Sequence, residues 1–135
     1  MTRNLRRIDA TEADTLKTIT DFLDLQMAQG KVVYLRHNPS TVISKVVGGK
    51  TKTAFKKVRE SQLGAPDLIV FKLNQYPRLA DWENEGQVTD VLCIEVKAST
   101  GKLSKTQDRW AELAVKQGCR YIVARSLEEV QEELK

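Results

Sequence analysis

Cysteine and histidine are nearly missing from this chain. Its 135 residues include two cysteines and one histidine. Cys93 lies inside a strand pattern and Cys119 just before another, which excludes a disulfide framework and a zinc-type ligand spacing. His37 has no second histidine to form a metal centre or a histidine nuclease motif, and it reads as an ordinary loop residue. No run approaches the roughly 18–20 continuous apolar residues of a membrane span. The opening "MTRNLRRIDATEAD" lacks the apolar core of a secretory signal. A reducing, cytoplasmic setting and no membrane partner are therefore expected. There is no internal repeat, low-complexity linker or heptad run. One domain over residues 1–135, long enough to bury a real core, is the expected organisation.

What the chain does have is positive charge gathered in one place. The formal net charge is +4, yet residues 38–59 hold six basic groups and no acidic one. Those six are Lys45, Lys50, Lys52, Lys56, Lys57 and Arg59, so the rest of the chain carries −2. Local charge of this kind suits a polyanion contact, and it equally suits a solvated loop whose lysines keep it soluble. Arg3, Arg6 and Arg7 form a smaller cluster. "SKVVGGKT" ends like a phosphate-binding loop, but Ser44 stands where that motif needs glycine, and β-like "TKTAFKKV" follows where it needs a helix.

Periodicity divides the chain into elements. Thr11 with Asp14 reads as the cap of a helix whose apolar stripe is Leu16, Ile19, Phe22, Leu23 and Met27, ended by Gly30. "KVVYLR", residues 31–36, predicts a strand. "TVISKVV" and "TAFKKV", meeting at Gly48–Gly49, predict a basic hairpin or a mobile loop within a 38–62 insertion. "PDLIVFK" is a strong strand after Gly64, followed by a polar excursion, "LNQYPRLADWENEGQVTD". "VLCIEVKAS" is another strand. "LSKTQDRWAELAVKQG" is a helix capped by Ser104, "RYIVAR" a strand, and "SLEEVQEELK" a closing helix with Ser126 and Glu129 at capping-box spacing and Leu127, Val130 and Leu134 inward. The order predicts an α/β sandwich built on one sheet.

The strand "VLCIEVKAS" carries the chemistry. Alternation puts Leu92, Ile94 and Val96 on one face and Val91, Cys93, Glu95 and Lys97 on the other. Apolar residues on both faces imply a covered strand, where an unpaired charge costs several kcal/mol. Asp67 opens the preceding strand after Pro66. If the two strands are neighbours, Asp67 and Glu95 approach each other, and a divalent cation offsets their repulsion. Lys97 then sits where it can stabilise charge at phosphorus. A buried structural ion pair accounts for the same three residues without any chemistry. Glu12 lies on the sheet-facing stripe of the first helix, and it also simply complements that helix's dipole. Gln107 completes a capping box with Ser104, yet shares a face with Trp110, Ala114 and Gln117.

"PD", a spacer and "EVK" resemble the PD-(D/E)XK nuclease signature. "GAPDLIVFK", "CIEVKASTGKLSKTQDRWAEL" and "GCRYIVARSLEEV" narrow the resemblance to the VRR-NUC branch, with the glutamate of "TEAD" and the "RHN" after the first strand also similar. The resemblance implies a restriction-endonuclease-like α-β-β-β-α-β core with one mixed sheet flanked by helices, plus the basic insertion and a C-terminal helix. It implies metal binding by Asp67, Glu95, Glu12 and the Val96 carbonyl, a catalytic Lys97, and Gln107 as a polar group of the site. The cofactor implied is Mg²⁺, with Mn²⁺ a possible substitute. The activity implied is that of a homodimeric endodeoxyribonuclease selective for branched DNA such as Holliday junctions, in a bacterial or phage-infected cell. An inactive DNA-binding scaffold, or a nuclease for RNA or single strands, is the alternative. Arg36 and Asn38, with the six basic groups of the insertion, are the candidate nucleic-acid contacts.

Overall fold

The computed structural model describes residues 10–37, 42–55, 62–75 and 87–135. In order, these form α1 (Glu12–Ala28), β1 (Val33–Arg36), β2 (Val42–Val47), β3 (Lys50–Phe55), β4 (Leu68–Gln75), β5 (Gln87–Val96), α2 (Lys105–Lys116), β6 (Arg120–Ala124) and α3 (Leu127–Glu133). Four strands make one mixed sheet in the order β1-β4-β5-β6. The first two pairings are antiparallel and the last is parallel. A parallel pair needs a crossover, and α2 supplies it. This is the α/β sandwich expected of the element order, with the restriction-endonuclease-like core that the resemblance implies.

Each helix starts where its cap dictates. Thr11 and Asp14 close a reciprocal capping box at α1, and Ser104 and Gln107 do so at α2. At α3 only half the box forms. Ser126 accepts from the Glu129 amide, while the Glu129 carboxylate accepts from the Arg125 amide instead. Behind α1, Gly30 adopts φ 71°, a conformation that favours glycine.

The core lies on the face of the sheet that meets α1 and α3. Ile19 and Leu23 of α1 and Val130 of α3 pack against Leu68, Val70, Leu92, Ile94, Val96 and Ala124, all fully buried. Each such side chain contributes about 1.5–3 kcal/mol by leaving water. Met27, expected in the stripe, is exposed instead. Leu16, Phe22, Leu127 and Leu134 pack against the core as partly buried residues.

Two boundaries differ from expectation. The first strand begins at Val33 and not at Lys31, although Val32 is buried. The expected polar excursion is shortened at both ends, since Leu73 pairs with Thr89 and Gln75 with Gln87. Cross-strand pairing there outweighs polar composition. Among the described residues, no helix is long and apolar enough to cross a membrane. The basic segment does contain a hairpin. Gly48 and Gly49 both have positive φ, 60° and 75°, as a two-residue turn requires.

Candidate active site

Three strands and one helix converge on the second face of the sheet. Leu68 pairs with Arg36 on one side and with Ile94 on the other. Extending that register by one residue aligns His37, Asp67 and Glu95, and Glu95 is paired in turn with Val123. The His37 amide donates to the Asp67 carbonyl at 2.8 Å, which carries the ladder past the end of β1. Asp67 and Glu95 are therefore neighbours on adjacent strands, as the resemblance implies.

Each acid is held by a different contact. Asp67 Oδ2 accepts from the Val96 backbone amide at 2.8 Å. Glu95 is almost wholly buried. Its Oε1 accepts from Gln107 Nε2 at 2.8 Å and lies 3.5 Å from Lys97 Nζ. Glu95 Oε2 is buried and has no hydrogen-bond partner. Gln107 resolves its two readings by doing both jobs. Its Oε1 accepts from the Ser104 amide at 2.9 Å, completing the cap, while its Nε2 holds Glu95.

Two glycines shape this corner. Gly64 has φ 83°, and a Cβ placed there would fall on the Thr106 carbonyl and lie 2.7 Å from the Gln107 amide nitrogen. The loop leading into Pro66 and Asp67 thus presses against the first turn of α2 because residue 64 has no side chain. Gly101, whose amide donates to the Ala98 carbonyl at 3.0 Å, packs against the stem of Lys97.

Burial, and next the charge on Asp67, push the Glu95 carboxyl up to about 7 from its ordinary value near 4.5, against the opposing pull of the Lys97 ammonium. The metal-free native chain therefore keeps a proton that the unfolded chain has lost. This contribution to stability is complete below pH 4.5 and disappears as pH rises to about 7, a swing on the order of 3 kcal/mol. Urea unfolding in EDTA between pH 4.5 and 7.5 should show this decline, and Glu95→Gln should lack it. Identical pH curves for the two proteins would refute the assignment.

The remaining sequence candidates lie elsewhere. Glu12 is exposed in the first turn of α1, the helix that packs its stripe on the core face of the sheet, away from the face that bears Glu95. Among the described residues, no three His, Cys, Asp or Glu side chains come close enough to hold one ion directly, so Glu12 is not drawn in with Asp67 and Glu95. Arg36 is exposed at the end of β1, and Lys50 is exposed beside the hairpin turn. Lys45 and Lys52 stand opposite each other in the hairpin register. Asn38, Lys56, Lys57 and Arg59 fall outside the described residues. Cys93 and Cys119 are both free thiols, and burial pushes Cys93 up to about 11. His37, read from sequence as an ordinary loop residue, stands in the same row as both acids. Only the long-range β1–β4 pairing reveals this.

The arrangement of Asp67, Glu95, Lys97 and Gln107 on this scaffold coincides with a match to the VRR-NUC domain family over residues 6–128. The chain belongs to that family. It is thereby a nuclease-type domain of the PD-(D/E)XK class, a hydrolase for which DNA is the implied substrate. No curated protein and no solved structure gives a significant match. In this VRR-NUC domain the "PD" and "EVK" segments are brought together by antiparallel pairing of β4 and β5, although 27 residues separate Asp67 from Glu95.

Proposed function

We propose that this VRR-NUC domain is a divalent-metal-dependent endonuclease that acts on branched DNA, such as four-way junctions, as a homodimer. The observation that supports it most directly is the pair of neighbouring carboxylates with one buried, unpartnered oxygen, Glu95 Oε2, and an ammonium 3.5 Å from its partner oxygen. A buried, unsatisfied carboxylate oxygen is costly in a protein interior. Hard oxygen donors of this kind fit Mg²⁺, or Mn²⁺ in its place. The residues that would hold the ion are Asp67, Glu95 and the carbonyl of Val96, whose amide already engages Asp67.

A bound cation supplies charge neutralisation at the phosphate and lowers the pKa of water it touches. The chain's own groups do the rest. Gln107 fixes one oxygen of Glu95 and so sets the direction of the other. Lys97, its stem packed against Gly101, places a positive charge beside that carboxylate, where negative charge at phosphorus needs support. Two copies related by a two-fold axis suit paired incisions in a symmetric junction.

The test is a cleavage panel of duplex, flap, four-way junction, single-stranded DNA and single-stranded RNA, with Mg²⁺ or with EDTA. Cutting of junctions in Mg²⁺ alone is the expected result. Cutting of RNA or single strands would transfer the activity to that substrate, and binding without cutting would favour a scaffold. The basic groups of residues 38–59 give a separate expectation. If all six touch phosphate, log K against log salt should slope at about −5. An affinity indifferent to salt would remove those lysines from the DNA contact.

A further inference from the structure

Among the described residues, three buried side-chain polar atoms have no hydrogen-bond partner: His37 Nε2, Glu95 Oε2 and the Tyr121 hydroxyl. Native interiors leave few such atoms, and each one calls for a cause. Here all three belong to one patch. His37 and Glu95 flank Asp67 in the row His37–Asp67–Glu95–Val123. Tyr121 pairs with Cys93 in the next row on the same face, diagonal to Glu95. Burial, and then the charge of Glu95, raise the Tyr121 hydroxyl above its ordinary range, in keeping with this proximity. The three orphans thus lie on one face of the sheet, on its β1 side, at β5 and on its β6 side, where Tyr121 also lines a cleft with Asp108, Ala111 and Glu112 of α2.

Direct coordination by His37 does not fit, since no three potential ligands come together in this arrangement. A small divalent cation that retains several waters fits better, because those waters extend the reach of the ion beyond its protein ligands. We propose that His37 and Tyr121 are positioning residues of this site, His37 Nε2 and the Tyr121 hydroxyl each hydrogen-bonding a water carried by the cation that Asp67 and Glu95 hold. The inference rests on the cation reading given above and adds two residues to it. It explains why a phenol and an imidazole nitrogen are buried without partners beside two acids. It also assigns opposite edges of the sheet to opposite sides of one hydrated ion.

The experiment uses the full chain with Mg²⁺ alone, without nucleic acid. Partners of this kind typically alter metal affinity about 10- to 100-fold when removed. Calorimetric titration of Tyr121→Phe and His37→Ala should show Mg²⁺ binding weakened by that factor, with His37→Gln recovering part of it. Unfolding in EDTA should leave Tyr121→Phe as stable as the parent or more so, because it deletes an unpaired hydroxyl. His37 is the chain's one histidine, so its ¹⁵N imidazole signals identify themselves. They should shift on adding Mg²⁺ with the same midpoint as the calorimetry. Parent-like Mg²⁺ affinity in both variants, or imidazole signals unmoved at saturating Mg²⁺, would overturn the inference. So would a loss of stability in EDTA that accounts for the whole effect. If the parent itself takes up no Mg²⁺, the cation reading falls first, and the two failures are thereby told apart.

Discussion

Lys97→Ala is expected to lower metal-dependent DNA cleavage by about 10²–10³-fold while junction binding in Ca²⁺ changes little. The reason is positional. Lys97 is held close to Glu95, with its nitrogen 3.5 Å from Oε1, so its charge sits beside the two acids of the candidate site. Glu95→Ala should be at least as damaging to cutting, because it removes a carboxylate that Gln107 and Lys97 both address. Single-turnover cleavage of a labelled junction, with a parallel gel-shift measurement, separates the two effects. A Lys97→Ala protein that cuts at the parent rate would show that the ammonium is only a structural counter-ion for Glu95.

The second large effect should come from a residue with no functional group. Gly64→Ala places a Cβ on the backbone of the first turn of α2 and forces a positive φ of 83° on a residue that resists it. Strain at such a position costs about 1–3 kcal/mol, and the overlap with backbone adds to it, so a loss of about 2–4 kcal/mol by urea unfolding is expected. What survives folded should be impaired in cleavage as well. Relief of the clash pushes α2 away from the Pro66–Asp67 loop and carries Gln107 off Glu95. Unchanged unfolding free energy together with unchanged cleavage would mean that this contact is dispensable. The glycine of "GAPD" is explained by this contact, not by any need for a turn alone.

Much of the architecture was legible along the chain, for physical reasons that act locally. The caps at Thr11 and Ser104 are reciprocal hydrogen bonds over three residues, and both formed. Glu95 and Lys97 share a face because strand geometry alternates, whatever the rest of the fold does. The Gly48–Gly49 turn needs only two residues that tolerate positive φ. Where expectation missed, the competing effect was tertiary. Strands β4 and β5 extend into polar sequence because each supplies the other's hydrogen bonds from Leu73–Thr89 to Gln75–Gln87. The half-formed α3 box is the local exception, since the Glu129 carboxylate accepts from the Arg125 amide only four residues away.

By itself, then, the order of residues determined the helices, the strands, the acids and amine of the candidate site, and the family signature they spell. Only the tertiary structure decided which residues stand beside them. His37 joins Asp67 through the pairing of β1 with β4, across an insertion between them, and Tyr121 arrives on a parallel strand after a helical crossover. Glu12 was left on the other face for the same kind of reason, since α1 packs its stripe against Leu92, Ile94 and Val96 and not against Glu95. Register between distant strands is set by the joint packing of the whole sheet, and no short stretch of sequence contains it.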